Sequence, residues 1–64
     1  MTYKLSAIIE KEGRLYAALC PELDVASQGR TVECAIRNLR EAVSLYLENA
    51  SPAEILITTL EITV

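Results

Sequence analysis

Apolar and polar positions alternate from Tyr3 to Glu10: Tyr3, Leu5, Ala7 and Ile9 fall on one face, and Lys4, Ser6, Ile8 and Glu10 on the other. A period of two predicts a strand. Lys11-Glu12-Gly13 then reads as a turn, because glycine adopts positive φ without steric cost. Arg14 to Cys20 reads as a second strand, completing a β-hairpin that Pro21 ends, since proline gives no N–H to a ladder. A short third strand is expected over Val25 to Gln28.

The period changes after Gly29. Val32, Ala35, Ile36, Leu39, Val43, Tyr46 and Leu47 recur at steps of three and four, which predicts an amphipathic helix over residues 32 to 48. Thr31 is placed to cap it, and Glu33 sits in the first turn, where the helix dipole favours an anion. Arg37, Arg40, Glu41, Ser44 and Glu48 lie off the stripe, and Glu33 and Arg37 have the spacing of a helical ion pair. Ser51-Pro52 is the expected helix end, because the residue before a proline avoids the α region. Glu54 to Val64 is rich in β-branched residues and predicts a last strand.

The order β-β-β-α-β predicts a two-layer α+β domain in which one helix covers one face of a four-stranded sheet. It occupies residues 1–64 as a single domain. The other face of the sheet should then be polar in a monomer. It is not. If Glu10 pairs with Arg14, that face holds Ile8, Tyr16, Ala18 and Cys20. If Lys11 pairs with Arg14 across Glu12-Gly13, it holds Ile8, Leu15, Ala17 and Leu19. Either register leaves an apolar patch, and the last strand adds to it with Leu56, Leu60, Ile62 and Val64 on one face. Such patches mark interaction surfaces. Ile8 belongs to the patch in both registers.

Composition points the same way. With 64 residues the chain builds a small core, and scaffolds of this size lean on a staple or a partner. It has no His and two cysteines, Cys20 and Cys34, so a zinc site of four cysteines or one using His is excluded within a single chain. A hydrophobic fraction of 52% argues against disorder. The net charge of −3 and a pI near 4.7 argue against direct binding to nucleic acid and suit a basic protein partner. No apolar run is long enough to span a bilayer, and Met1 to Leu5 lacks the features of a signal peptide, so a cytoplasmic protein with free thiols and no membrane association is expected.

Candidate chemistry is sparse. The commonest general base is missing, and neither Ser27 nor Ser51 has a base near it in sequence. Cys20 precedes a proline at a strand end, and Cys34 sits near a helix N-terminus. Glu22 and Asp24 share a loop, while Arg37 and Arg40 lie one helical turn apart and could grip an anion. Each of these has a simpler structural explanation: a core thiol, a helix residue, a solvated turn and a solvated helix face. No catalytic residue, metal ligand or cofactor is expected, and the chain reads as non-enzymatic.

The central segment resembles the HicB-like antitoxin family. That family's pattern runs from a Pro-acid-Leu turn through Ser-x-Gly-x-Thr into a helix with Glu-x-Ala and Asn-x-x-Glu-Ala. Here Pro21, Glu22, Leu23, Ser27, Gly29, Thr31, Glu33, Ala35, Asn38, Glu41 and Ala42 match in register. Ile8-Ile9-Glu10, the Gly turn and Tyr16-x-Ala18 resemble the family's hairpin. Asp24-Val25 stands where the family often has Pro-Gly, and Cys34 where it often has an acid.

The resemblance implies a domain similar to a truncated ribonuclease H fold, with Tyr16, Ala18 and Cys20 turned toward the helix; Leu15, Ala17 and Leu19 then face away with Ile8, and Ile8, Ala17 and Leu19 are the candidate residues for self-association or partner binding. It implies a domain that binds and neutralises HicA, a small basic toxin that cleaves messenger RNA, while the second apolar patch and the small core predict a homodimer or higher oligomer. Members commonly add a C-terminal DNA-binding segment. None follows the last strand here, so direct operator binding is not expected. Ribonuclease activity is not expected either: a two-metal site needs several carboxylates, and Lys4 and Ser6 occupy the middle of the first strand. The alternative is a stand-alone oligomeric module that binds another protein or a small ligand.

Overall fold

A computed structural model describes residues 2–48 and 51–63, together with all their side chains except those of Pro52, Glu61, Ile62 and Thr63. The elements run β1 (Tyr3–Glu12), β2 (Leu15–Cys20), β3 (Val25–Gly29), α1 (Val32–Tyr46), a 3-10 turn (Pro52–Glu54) and β4 (Ile55–Thr63). The sheet order is β3-β2-β1-β4. β1 pairs antiparallel with β2, β2 antiparallel with β3, and β4 parallel with β1. This is the expected two-layer β-β-β-α-β α+β domain.

The hairpin has the expected faces but a different turn. Lys11 and Glu12 belong to β1, with Lys11 opposite Tyr16 and Glu12 opposite Leu15. The two-residue turn is therefore Gly13-Arg14, and neither register considered from the sequence alone is the one formed. The reason is conformational. Gly13 has φ +62° and Arg14 is not in the positive-φ region, the signature of a type II′ turn with glycine at its first central position. Extending β1 also sets the Lys11 ammonium 6.0 Å from the centre of the Tyr16 ring.

Ala7, Ile9, Ala18, Cys20, Ala35, Leu39, Val43 and Ile55 form the buried core. The buried helix residues are spaced by four, so α1 lies on the sheet along one line. The helix starts as expected: Thr31 is extended, and its Oγ1 accepts a hydrogen bond from the Cys34 N–H at 3.0 Å. Its other end differs. α1 stops at Tyr46, before Ser51-Pro52, because Glu48 adopts φ +59°. There the Glu48 N–H bonds the Leu45 carbonyl at 3.2 Å, and the Leu47 N–H bonds the Val43 carbonyl at 2.9 Å. Tyr46, expected in the core stripe, is 59% exposed; Leu47 at the cap packs on the core in its place. Arg37 makes no ion pair with Glu33 among the described residues, and its Nη2 donates to Cys34 Sγ at 3.6 Å. Ser51-Pro52 opens the 3-10 turn: Glu54 Oε1 accepts from the Ser51 N–H at 3.1 Å and from its Oγ at 3.2 Å.

β4 carries a bulge. Ala7 pairs with Thr59 but Ile8 pairs with Glu61, so Leu60 is the extra residue. A uniform alternation through β4 is therefore broken after Leu60. The expectation for Ile62 and Val64 falls on side chains outside the described residues. No helix among the described residues is long and apolar enough to cross a membrane.

Candidate functional site

α1 covers one face of the sheet, and the other is open. Pairing sets the open face row by row. Ala26 of β3, Leu19 of β2 and Ile8 of β1 stand side by side, since Leu19 is opposite both Ala26 and Ile8. The neighbouring row is Gln28, Ala17 and Glu10, and beyond it Leu15 faces Glu12. Leu19 is 37% exposed, Ile8 and Ala17 are half-buried, and Ala26 is exposed. Leu56 of β4, aligned with Lys4, adds another exposed apolar side chain to this face.

The three residues expected to form an interface, Ile8, Ala17 and Leu19, are thus brought together on one surface. The packing explains why this face is apolar and the other is closed. Ile9, Ala18 and Cys20 are drawn under the helix, so their alternating neighbours must point away from it. The pattern of β3 hid one contributor. Ala26 completes the row, but a five-residue strand with mixed polarity offers no periodic signal for it. A shallow depression of about 380 Å³, lined by Glu12, Ala17, Ala26, Ser27 and Gln28, lies beside the row and opens to solvent. Its walls are small side chains bordered by a carboxylate and an amide.

The other candidates are dispersed. Cys20 is fully buried and its Sγ donates to Glu22 Oε1 at 3.6 Å; burial, reinforced by the adjacent carboxylate, pushes its thiol pKa up. That disfavours the thiolate. Cys34 is half-buried and also a free thiol. Glu22 and Asp24 do not act as a pair: Glu22 turns to β1, where it accepts from the Ser6 Oγ and N–H, and Asp24 sits in the turn with φ +54°. The Ser6 hydrogen bonds hold the Glu22 carboxyl below its ordinary pKa. Arg37 and Arg40 do not form one grip. Arg37 is exposed against Cys34, whereas Arg40 is half-buried with its Nε shielded from solvent and without a hydrogen bond. Among the described residues, no three His, Cys, Asp or Glu side chains cluster as a metal site.

Known sequences place this fold in a family. The chain is 40% identical over 52 residues to a UPF0150 protein of Helicobacter pylori strain J99, a stretch covering 80% of this chain and 72% of that one. The chain belongs to the UPF0150 family. A UPF0150 protein of Synechocystis is 45% identical over 49 residues, covering 73% of this chain and 62% of its own length. No family model matches the chain, and no solved structure matches it.

Proposed function

We propose that this UPF0150 family member is a non-enzymatic, self-associating protein-binding domain of the HicB-like antitoxin type, which neutralises a small basic HicA-type toxin that cleaves messenger RNA. One observation carries the reading: the Ala26–Leu19–Ile8 row lies in the open with Glu10 and Glu12 at its side. Apolar side chains at the centre of such a surface supply affinity, and carboxylates at its border steer a basic partner and set its orientation. The net charge of −3 adds long-range attraction to the same partner. Cofactors, metals and direct nucleic-acid contacts have no part in this mechanism. The domain acts by covering the toxin.

The test is co-expression with a HicA-type toxin from the same genome. Growth rescue and a stoichiometric complex are expected, and Leu19→Lys should weaken the complex at least about tenfold, the loss of one central anchor. If no such toxin is bound or neutralised, the antitoxin reading falls. A pull-down that then returns only the chain itself would favour the stand-alone oligomeric module.

A further inference from the structure

The two edges of this sheet are treated differently. At one edge, β3 is five residues long and the helix closes over it. Asn38 Nδ2 donates to the Gln28 carbonyl at 2.9 Å, and Gly29 lies so close to the start of α1 that a Cβ there would stand 2.6 Å from the Ala35 nitrogen. At the other edge, β4 is nine residues long, and its neighbour on one side only is β1. Its sequence, Ile-Leu-Ile-Thr-Thr-Leu-Glu-Ile-Thr, contains no lysine or proline, and the features that discourage edge pairing, the Leu60 bulge and Glu61, are confined to its second half, leaving Ile55 to Thr59 regular and uncharged. Leu56 and Leu60 stand 51% and 63% exposed on it. A long β-branched edge with exposed leucines is a template for another strand.

The strand is complementary to itself. We propose that β4 pairs antiparallel with β4 of a second copy, about a two-fold axis at Thr58. In that register Leu56 of each copy faces Leu60 of the other, Ile57 faces Thr59, and Thr58 faces its own counterpart. Directly opposed residues share a face in an antiparallel pair, so the leucines meet twice on the open side, and no charged residue lies between them. The paired stretch ends at the Leu60 bulge, where the ladder with β1 shifts register. A contact in which the same patch serves both partners is what a two-fold dimer requires. This deepens the self-association in the reading above, and it leaves Ile8, Ala17 and Leu19 uncovered for a different partner. It does not depend on the toxin.

Light scattering after size exclusion, with the full chain at micromolar and higher concentrations, tests the mass. The wild type should run at twice the 7.1 kDa of one chain. Leu56→Lys/Leu60→Lys should halve that mass with circular dichroism unchanged, and Leu19→Lys should leave it unaltered. A cross-link gives a second readout that needs no disruptive variant. Opposed strand residues lie about 4.5–5.5 Å apart, within disulfide reach. Thr58→Cys in a Cys34→Ser background should therefore form a covalent dimer on oxidation, and Gln28→Cys on the opposite edge should not. A monomeric wild type overturns the proposal. So does a dimer that survives Leu56→Lys/Leu60→Lys, a dimer lost only in Leu19→Lys, or a Thr58→Cys chain that does not cross-link.

Discussion

Ser6 and Glu22, sixteen residues apart, close the end of the ladder between β1 and β2. β2 stops at Cys20, and the chain leaves the sheet through the turn at residues 21–24. The Ser6 N–H would then have no backbone acceptor. Glu22 supplies one: Oε1 lies 3.1 Å from that nitrogen, and Oε2 lies 2.7 Å from the Ser6 Oγ. A side chain thus continues what the backbone ends, as the accounting of backbone donors demands.

This bond predicts a pH dependence. The Ser6 hydrogen bonds lower the Glu22 pKa from its ordinary value of 4.5. A depressed folded-state pKa contributes stability that is complete above the ordinary value and lost as pH falls through the lowered one. Denaturant midpoints of wild type and Glu22→Gln should differ at neutral pH and converge on acidification below about pH 4.5. Glu54, also lowered by its bonds to Ser51, leaves both proteins some acid sensitivity of the same sign.

The two glycines predict opposite rescues. Gly13 has φ +62° and open space around a built Cβ, so Gly13→Ala should cost about 1–2 kcal/mol from backbone conformation alone. Gly13→Asn should recover part of that loss. Gly29→Ala places its Cβ 2.6 Å from Ala35 N and 2.8 Å from the Cys34 carbonyl carbon, both backbone atoms that give way only if the helix shifts. It should cost about 1–3 kcal/mol, and Gly29→Asn should be worse. Equilibrium urea unfolding of the four variants checks both.

Glu48 holds the position after the helix cap with φ +59°, where glycine is the usual residue. Glu48→Gly should stabilise the protein by about 1 kcal/mol, relieving the left-handed strain. For a domain this small that corresponds to roughly 4–8 °C in thermal midpoint. An unchanged or lower midpoint would count against strain at this cap.

A leucine of the helix buried against the sheet and one on the sheet's open face should behave in opposite ways. Leu39 is fully buried, and Leu39→Ala should cost about 2–5 kcal/mol, enough to unfold much of a core this small. Leu19 is 37% exposed on the far face, and Leu19→Lys should change stability by no more than about 0.5 kcal/mol while weakening the partner complex. Chemical denaturation and a titration with a HicA-type toxin on both variants test whether stability and the proposed binding rest on different leucines.

Much of this was readable in the chain because its two periodicities are distinct. Alternation in Tyr3 to Glu10 and three- and four-residue steps in Val32 to Val43 demand a strand and a helix, and Thr31 marks the boundary by its capping chemistry. The existence of a second apolar face followed too, since Ile8 remains outside the core in either hairpin register considered. Ile8 was therefore legible as part of that face, whereas Ala17 and Leu19 join it in only one of those registers and in the pairing that forms. Tertiary structure decided the rest. The positive φ of Gly13 moved the turn to Gly13-Arg14, and Glu48 ended the helix well before Pro52. The pairing of β3 brought Ala26 to the row, and the pairing of β4 made one edge long and open. Local patterns set which side chains alternate, because that depends on backbone geometry within a few residues. Which strands become neighbours, and which edge stays unpaired, depends on contacts between segments far apart in the chain.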